Sequence, residues 1–148
     1  QAALSYDKFV AVARGLGVDM AELLQPGGQG EHIEFAGQLL KSRVNEQEGY
    51  HSDNYHLEFL FRDVHGKVMT PLVATVHSRE VHDFSEFIKH PGQEFAYVLS
   101  GAVTIQFENG KSIKLKRNEA AYFDSSIGHV YLTASRTPAR VLAVCSDR

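Results

Sequence analysis

The chain has 148 residues, 43% of them hydrophobic, which is enough for one core and a small appendage. Its formal charge is −3 and no run of Lys and Arg exceeds two residues, so it lacks the basic footprint of a nucleic-acid-binding domain. The single cysteine, Cys145, excludes an intramolecular disulfide, and the apolar runs are too short for a membrane-spanning helix. A lone cysteine suits a reducing compartment, and no signal-peptide pattern is visible, so a cytoplasmic location is expected.

Residues 1–25 read as helix. Phe9, Val12, Ala13 and Leu16 recur at helical spacing, with Ser5 as a cap and Gly15 or Gly17 as a stop. Asp19 then offers a second N-cap, with Glu22 three residues on. Two short helices of this kind cannot bury their apolar faces alone. They need chain upstream or a docking surface. The stretch QPGGQGE (25–31) is Gly- and Pro-rich, which places a linker at 26–31 and a second domain at 32–148.

After the linker the period changes to that of strands. HIEFAGQLLKSRV (32–44) holds one or two. NYHLEFLFRD (54–63) alternates, with His56, Glu58, Leu60 and Arg62 against Leu57, Phe59 and Phe61. VHGK (64–67) reads as a turn and VMTPLVATVHS (68–78) as the return strand. EFAYVLSG, AVTIQFE, KSIKLK, AAYFDSS, HVYLTAS and ARVLAVCS follow. Asn109-Gly110 between the second and third of these is a two-residue hairpin signal. Many short strands without intervening helix predict an all-β antiparallel sandwich or barrel.

Three residues within this series carry metal-ligand or polar-ligand chemistry: His90, Glu94 and the distant His129. If they converge, they build a site inside a small barrel. Strand alternation puts Tyr131 and Thr133 on the face of His129, and Ala96 and Val98 on the face of Glu94. Ile88 adds an apolar wall. These residues predict a pocket with a polar end and an apolar body, suited to a small organic anion or an amino-acid-like ligand. The plainer alternatives stay open. His90 and His129 can be hydrogen-bonded residues at a barrel mouth, and Val98 and Tyr131 can be core. His51, His56, His65, His77 and His82 read as surface or loop residues, although His77 or His82 can also swing towards the site. His32 sits beside the linker. Arg62 is either an inward anion partner or an exposed strand residue. Cys145, in an apolar strand, reads as an inert buried thiol.

These residues resemble the cupin family. Its first motif is His-x-His, a short gap, Glu, then six residues and Gly. Ile88-Lys89-His90-Pro91-Gly92-Gln93-Glu94 and Gly101 fit that frame, with Ile88 in place of the first histidine. The second motif is a Gly-Asp turn, a strand, then a Pro-containing segment ending in His. Here Asn118-Glu119 stands at the turn and Gly128-His129 at the end. The resemblance implies a jelly-roll barrel. It also implies a divalent metal (Zn, Fe, Mn or Ni) on His90, Glu94 and His129, a two-His, one-carboxylate set with open positions.

A second resemblance lies in LSYDKFVAVARGLGVDMAELL (4–24), which is similar to the last two helices of the lambda-repressor-like helix-turn-helix domain. Bacterial regulators that join that domain to a C-terminal cupin form a known family, and YFDSSIGH (122–129) resembles a phrase of their cupin half. The implied function is a cupin that senses a small-molecule effector inside a homodimeric transcriptional regulator. DNA would be bound by helices upstream of Gln1, which this chain does not contain. Phe95, Tyr97 and Leu99, on the outer face of their strand, are candidates for the dimer surface. The alternative is a metal-dependent cupin enzyme, a non-haem Fe(II) oxygenase or isomerase, with an appended helix-turn-helix domain. A third possibility is a structural dimerisation domain with a vestigial pocket.

Overall fold

A computed structural model describes residues 33–44 and 49–146. The helices expected over 1–25, the linker at 26–31 and His32 lie outside these residues. The described residues form eleven strands: β1 (Ile33–Glu34), β2 (Tyr50–His51), β3 (Tyr55–Phe59), β4 (Val64–His65), β5 (Met69–Val76), β6 (Gln93–Ser100), β7 (Ala102–Phe107), β8 (Ser112–Lys116), β9 (Ala120–Asp124), β10 (His129–Thr133) and β11 (Ala139–Ser146). A single 3-10 turn, Val81–Asp83, interrupts the long connection between β5 and β6.

Six strands form one sheet in the order β2-β3-β5-β11-β6-β9, and three form another in the order β10-β7-β8. Every pairing within these two sheets is antiparallel. The short β1 and β4 pair separately and in parallel. This is the antiparallel all-β architecture expected from the strand pattern and the jelly-roll barrel implied by the resemblance.

Alternation explains the core. Along β6, Glu94, Ala96 and Val98 point inward and are buried, while Gln93 and Leu99 are exposed on the other face. Val103 and Ile105 of β7 and Val141 of β11 are fully buried opposite them. Removing each such side chain from water stabilises the fold by about 1.5–3 kcal/mol.

The free edge of β10 is satisfied residue by residue. The His129 N–H donates to the Ile88 carbonyl at 2.9 Å, the Tyr131 N–H to the Tyr55 hydroxyl at 2.7 Å, and the Thr133 N–H to the Ser78 carbonyl at 2.7 Å. Ile88 forms an isolated antiparallel bridge with His129. A buried edge with unpaired donors would cost about 1–3 kcal/mol per group, so these contacts let β10 lie inside the molecule.

Two local expectations need correction, and of the one or two strands expected in 32–44 the described residues hold one. The strand expected over 54–63 ends at Phe59, because Phe61 adopts φ 53° and a turn follows, in which the Val64 N–H donates to the Phe61 carbonyl. Arg62 therefore sits in that turn and not on the strand. The segment 32–44 contributes only Ile33–Glu34 as strand. The β7–β8 hairpin has a three-residue loop. The Gly110 N–H closes a turn onto the Phe107 carbonyl around Glu108 and Asn109, and Gly110 itself takes φ 89°. That is a turn followed by a left-handed residue, which glycine accepts without strain, in place of the two-residue turn predicted from Asn-Gly.

Candidate functional site

Two chain segments far apart in sequence are zipped together at one end of the barrel. The Ile88–His129 bridge supplies two backbone hydrogen bonds, of 2.9 and 3.1 Å. The His90 N–H donates to the Ser125 carbonyl at 2.9 Å, and the Ser125 N–H donates to the Gly92 carbonyl at 3.2 Å. Ser125 is fully buried, clamped between the two segments. Asp124 accepts hydrogen bonds from the Ser126 hydroxyl (2.6 Å) and N–H (2.9 Å), which tightens the turn behind the clamp. At Gly128 a Cβ would lie 2.7 Å from the Glu108 carboxyl carbon and 2.8 Å from Phe87, so the close approach there requires glycine.

This backbone arrangement brings His90, Glu94 and His129 together around one carboxylate. His90 Nε2 lies 3.0 Å from Glu94 Oε1, and His129 Nε2 lies 3.6 Å from the same oxygen. Tyr131 donates its hydroxyl to Glu94 Oε2. His129 Nδ1 lies 2.8 Å from the Ile127 carbonyl, which orients the ring and directs Nε2 into the site. Phe123 packs edge-on against the His129 ring, with centroids 4.9 Å apart.

The electrostatics follow from burial and these contacts. Glu94 and His129 are only 4% and 3% exposed. Burial alone pushes the Glu94 carboxyl up. The hydrogen bonds and positive charge of His129 and His90 together outweigh it and hold the group well below the usual carboxylate range. Burial pulls the His129 imidazole down, but Glu94 and the Ile127 carbonyl raise it overall. The Tyr131 phenol is pushed far up by burial and by the Glu94 charge, so it stays neutral and acts as a donor. Burial likewise raises the Tyr55 phenol.

Glu94, His129 and Tyr131 form the polar end of a cavity whose body is Leu57, Leu72, Ala74, Val141 and Ala143. Ile88 and Tyr55 complete the wall, and Cys145 lines it beside Glu94. Its volume is about 30 Å³ for the centres of water-sized spheres, room for roughly two waters. No lining residue is Lys or Arg. The one cationic group on the wall is the His129 imidazole, and Glu94 already engages it.

Of the residues singled out from sequence, Ile88, Glu94, His129 and Tyr131 line this cavity, and His90 reaches Glu94 from a half-buried position. Ala96, Val98 and Thr133 do not. Ala96 and Val98 continue the inward face of β6 into the packed core. Thr133 is buried at the far end of β10, where its hydroxyl donates to the Thr137 carbonyl at 2.9 Å. Arg62 and the other described histidines lie outside the wall, with His51, His77 and His82 exposed. Sequence reasoning missed Tyr55 and Cys145. Tyr55 shares the parity of Leu57 and Phe59, so extending that face back by one position finds it. Cys145 shares the parity of Val141 and Ala143, but only the register of β11 on β6 sets it opposite Glu94.

The donor set fits a divalent metal. Two imidazole nitrogens approach one buried carboxylate oxygen, at 3.0 and 3.6 Å, and one imidazole is oriented by a carbonyl through its other nitrogen.

Residues 76–145 match the family model of the cupin domain. Hydroxypropylphosphonic acid epoxidase from S. wedmorenis has a similar structure, with a TM-score of 0.60 and 22% identity over 96% of this chain and 75% of that one. Fe(II)-HppE with the alternative substrate (S)-1-HPP is similar to the same degree, again with a TM-score of 0.60 and 22% identity, covering 96% and 75% of the two chains. An HTH_3 family transcriptional regulator from Vibrio cholerae reaches a TM-score of 0.68 at 16% identity, covering 99% of this chain and 75% of that one. No curated protein matches the sequence. At these identities the structural likeness is one of fold. Together with the two-sheet topology, the match over residues 76–145 supports a cupin-type jelly-roll fold.

Proposed function

We propose that this chain is the small-molecule-sensing cupin domain of a bacterial DNA-binding transcriptional regulator, with a divalent metal held by His90, Glu94 and His129. The observation that carries the reading is the meeting of those three donors at the end of an otherwise apolar cavity. The likeness to an HTH_3 family transcriptional regulator over 99% of the chain supports the regulatory assignment. So do the helix-turn-helix-like residues 4–24.

When bound, the metal would supply a Lewis-acidic site with positions open to a small ligand. The protein's own groups do the rest. Tyr131 holds the second oxygen of Glu94, and the Ile127 carbonyl orients His129. Leu57, Leu72 and Val141 exclude water from the ligand's apolar part. A wall without Lys or Arg, whose one imidazole is engaged by Glu94, favours a small, uncharged or metal-chelating effector over a free organic anion. The effector acts by binding two states of the regulator with different affinity. DNA is contacted by segments upstream of Gln1, and the regulator works as a homodimer.

Elemental analysis combined with a thermal-shift screen tests this reading. Stoichiometric metal is expected. An effector at 100 times its dissociation constant should stabilise the protein by about 2.7 kcal/mol and alter operator binding by the full-length regulator. A metal-free protein with no stabilising effector would leave only a dimerisation role.

The donor set also favours a second reading, a non-haem Fe(II) enzyme of the oxygenase or isomerase type. Two histidines and one carboxylate are that chemistry's ligand set. Against it, the cavity offers no base apart from the metal ligands and no Lys or Arg for an anionic substrate. Turnover by the Fe(II)-loaded protein would select it.

A further inference from the structure

The position where the cupin motif places its first histidine is Ile88, so one of four expected donors is missing. We infer that Cys145 supplies it, making the site a two-histidine, one-carboxylate, one-thiolate centre. The inference rests on the metal-site reading above and deepens it.

Position is the first argument. Cys145 is the register partner of Glu94 across β11 and β6, and directly opposed residues of an antiparallel pair share a face. Glu94 points inward, and Cys145 lines the same cavity. Ile88 lines it too, beside His129. The lost donor and the substitute thus serve one cavity from different strands.

Distance is the second argument. Cys145 Sγ lies 3.2 Å from Glu94 Oε1, and the ligand atoms of His90, Glu94 and Cys145 all lie within 4.8 Å of one another. Metal–ligand bonds of about 2.0–2.3 Å in a tetrahedral site put neighbouring ligand atoms roughly 3.5 Å apart. From Glu94 Oε1 the separations are 3.0 Å to His90, 3.2 Å to Cys145 and 3.6 Å to His129, while His129 stands beside the three residues whose ligand atoms all lie within 4.8 Å of one another.

The chemistry follows. A thiol ligates as thiolate, so metal binding releases the Cys145 proton to solvent. A thiolate shifts the preference of the site towards softer metals such as Zn and away from Mn. If Cys145 were only filler in an apolar strand, it would have no effect on the bound metal.

Titration of the full chain with Co(II) decides between these. Cys145 is the single cysteine of the chain, so a thiolate-to-Co(II) charge-transfer band in the near ultraviolet has only one source. The expected result is one equivalent of Co(II) with that band, and its loss in Cys145→Ser while Co(II) still binds. Wild-type protein that binds one Co(II) without the band overturns the inference and leaves the metal site of His90, Glu94 and His129 standing. Wild-type protein that binds no Co(II) overturns both. If serine at 145 prevents folding, the wild-type thiol's reactivity towards a disulfide reagent reads the same contact. Protection by one equivalent of Co(II) supports ligation, and unchanged reactivity overturns it.

Discussion

The two ends of the barrel interior are built from the same strands and differ in what those strands carry. At one end Val98, Val103 and Ile105 pack with no exposed surface. At the other, Glu94 of β6, His129 and Tyr131 of β10 and Cys145 of β11 surround a small cavity. Between Glu94 and Val98 lie three residues of a single strand. Within that distance the barrel passes from apolar packing to a buried carboxylate held by imidazole, phenol and thiol groups. The packed end bears the stability, which leaves the open end free to carry charges that a core would not tolerate unpaired.

Truncation at the packed end is the largest test of this division. Ile105→Ala should destabilise the protein by about 2–5 kcal/mol, measured by denaturant unfolding, because it opens a cavity in close-packed surroundings. Co(II) stoichiometry of the folded fraction should not change. Loss of metal binding in that variant would mean that the two ends are not separable.

The complementary change is Glu94→Gln. It should abolish stoichiometric metal binding, because the central acceptor of His90, His129 and Cys145 loses its charge. The apo protein should lose roughly 1.5–3 kcal/mol, the range for hydrogen bonds to a charged group. Retention of metal with native stoichiometry would remove Glu94 from the site.

Tyr55→Phe probes the seam between the ends. Its hydroxyl is the acceptor for the buried Tyr131 N–H, so the variant strands that donor at a cost of about 1–3 kcal/mol. Metal binding should persist, since Tyr131 still donates to Glu94. A variant as stable as wild type would show that the N–H finds another partner.

The two ends were also unequally legible. Alternation alone places Glu94, Ala96 and Val98 on one face of β6, and that is how they lie. Alternation cannot say where along that face the cavity stops, because depth in the barrel depends on which strands lie opposite. Val98 therefore read as either pocket wall or core, and it lies in the core. Tyr55 went unnoticed because its role is to accept a backbone hydrogen bond from β10, 76 positions away. The pairing of Cys145 with Glu94 depends on the register of β11 on β6, which no local pattern encodes. Turn chemistry misled in one place: Asn109-Gly110 marks a hairpin, yet the glycine sits one residue past the turn.

The smallest predicted effect concerns what holds the open end in shape. The Ser126 hydroxyl and then its N–H hold the Asp124 carboxyl below the usual carboxylate range, in the turn behind the Ser125 clamp on His90. A carboxyl depressed in the folded state contributes stability above its unfolded pKa, about 3.9, and loses it as pH falls through the folded value. Asp124→Asn keeps a neutral acceptor and removes the charge. The variant should melt slightly below wild type at pH 6, and the difference should shrink as pH falls below the unfolded value and on through the depressed folded one, where the wild-type carboxyl takes up its proton. A difference in melting temperature that is the same at pH 3 and pH 6 would assign the effect to the geometry of the turn and not to its charge.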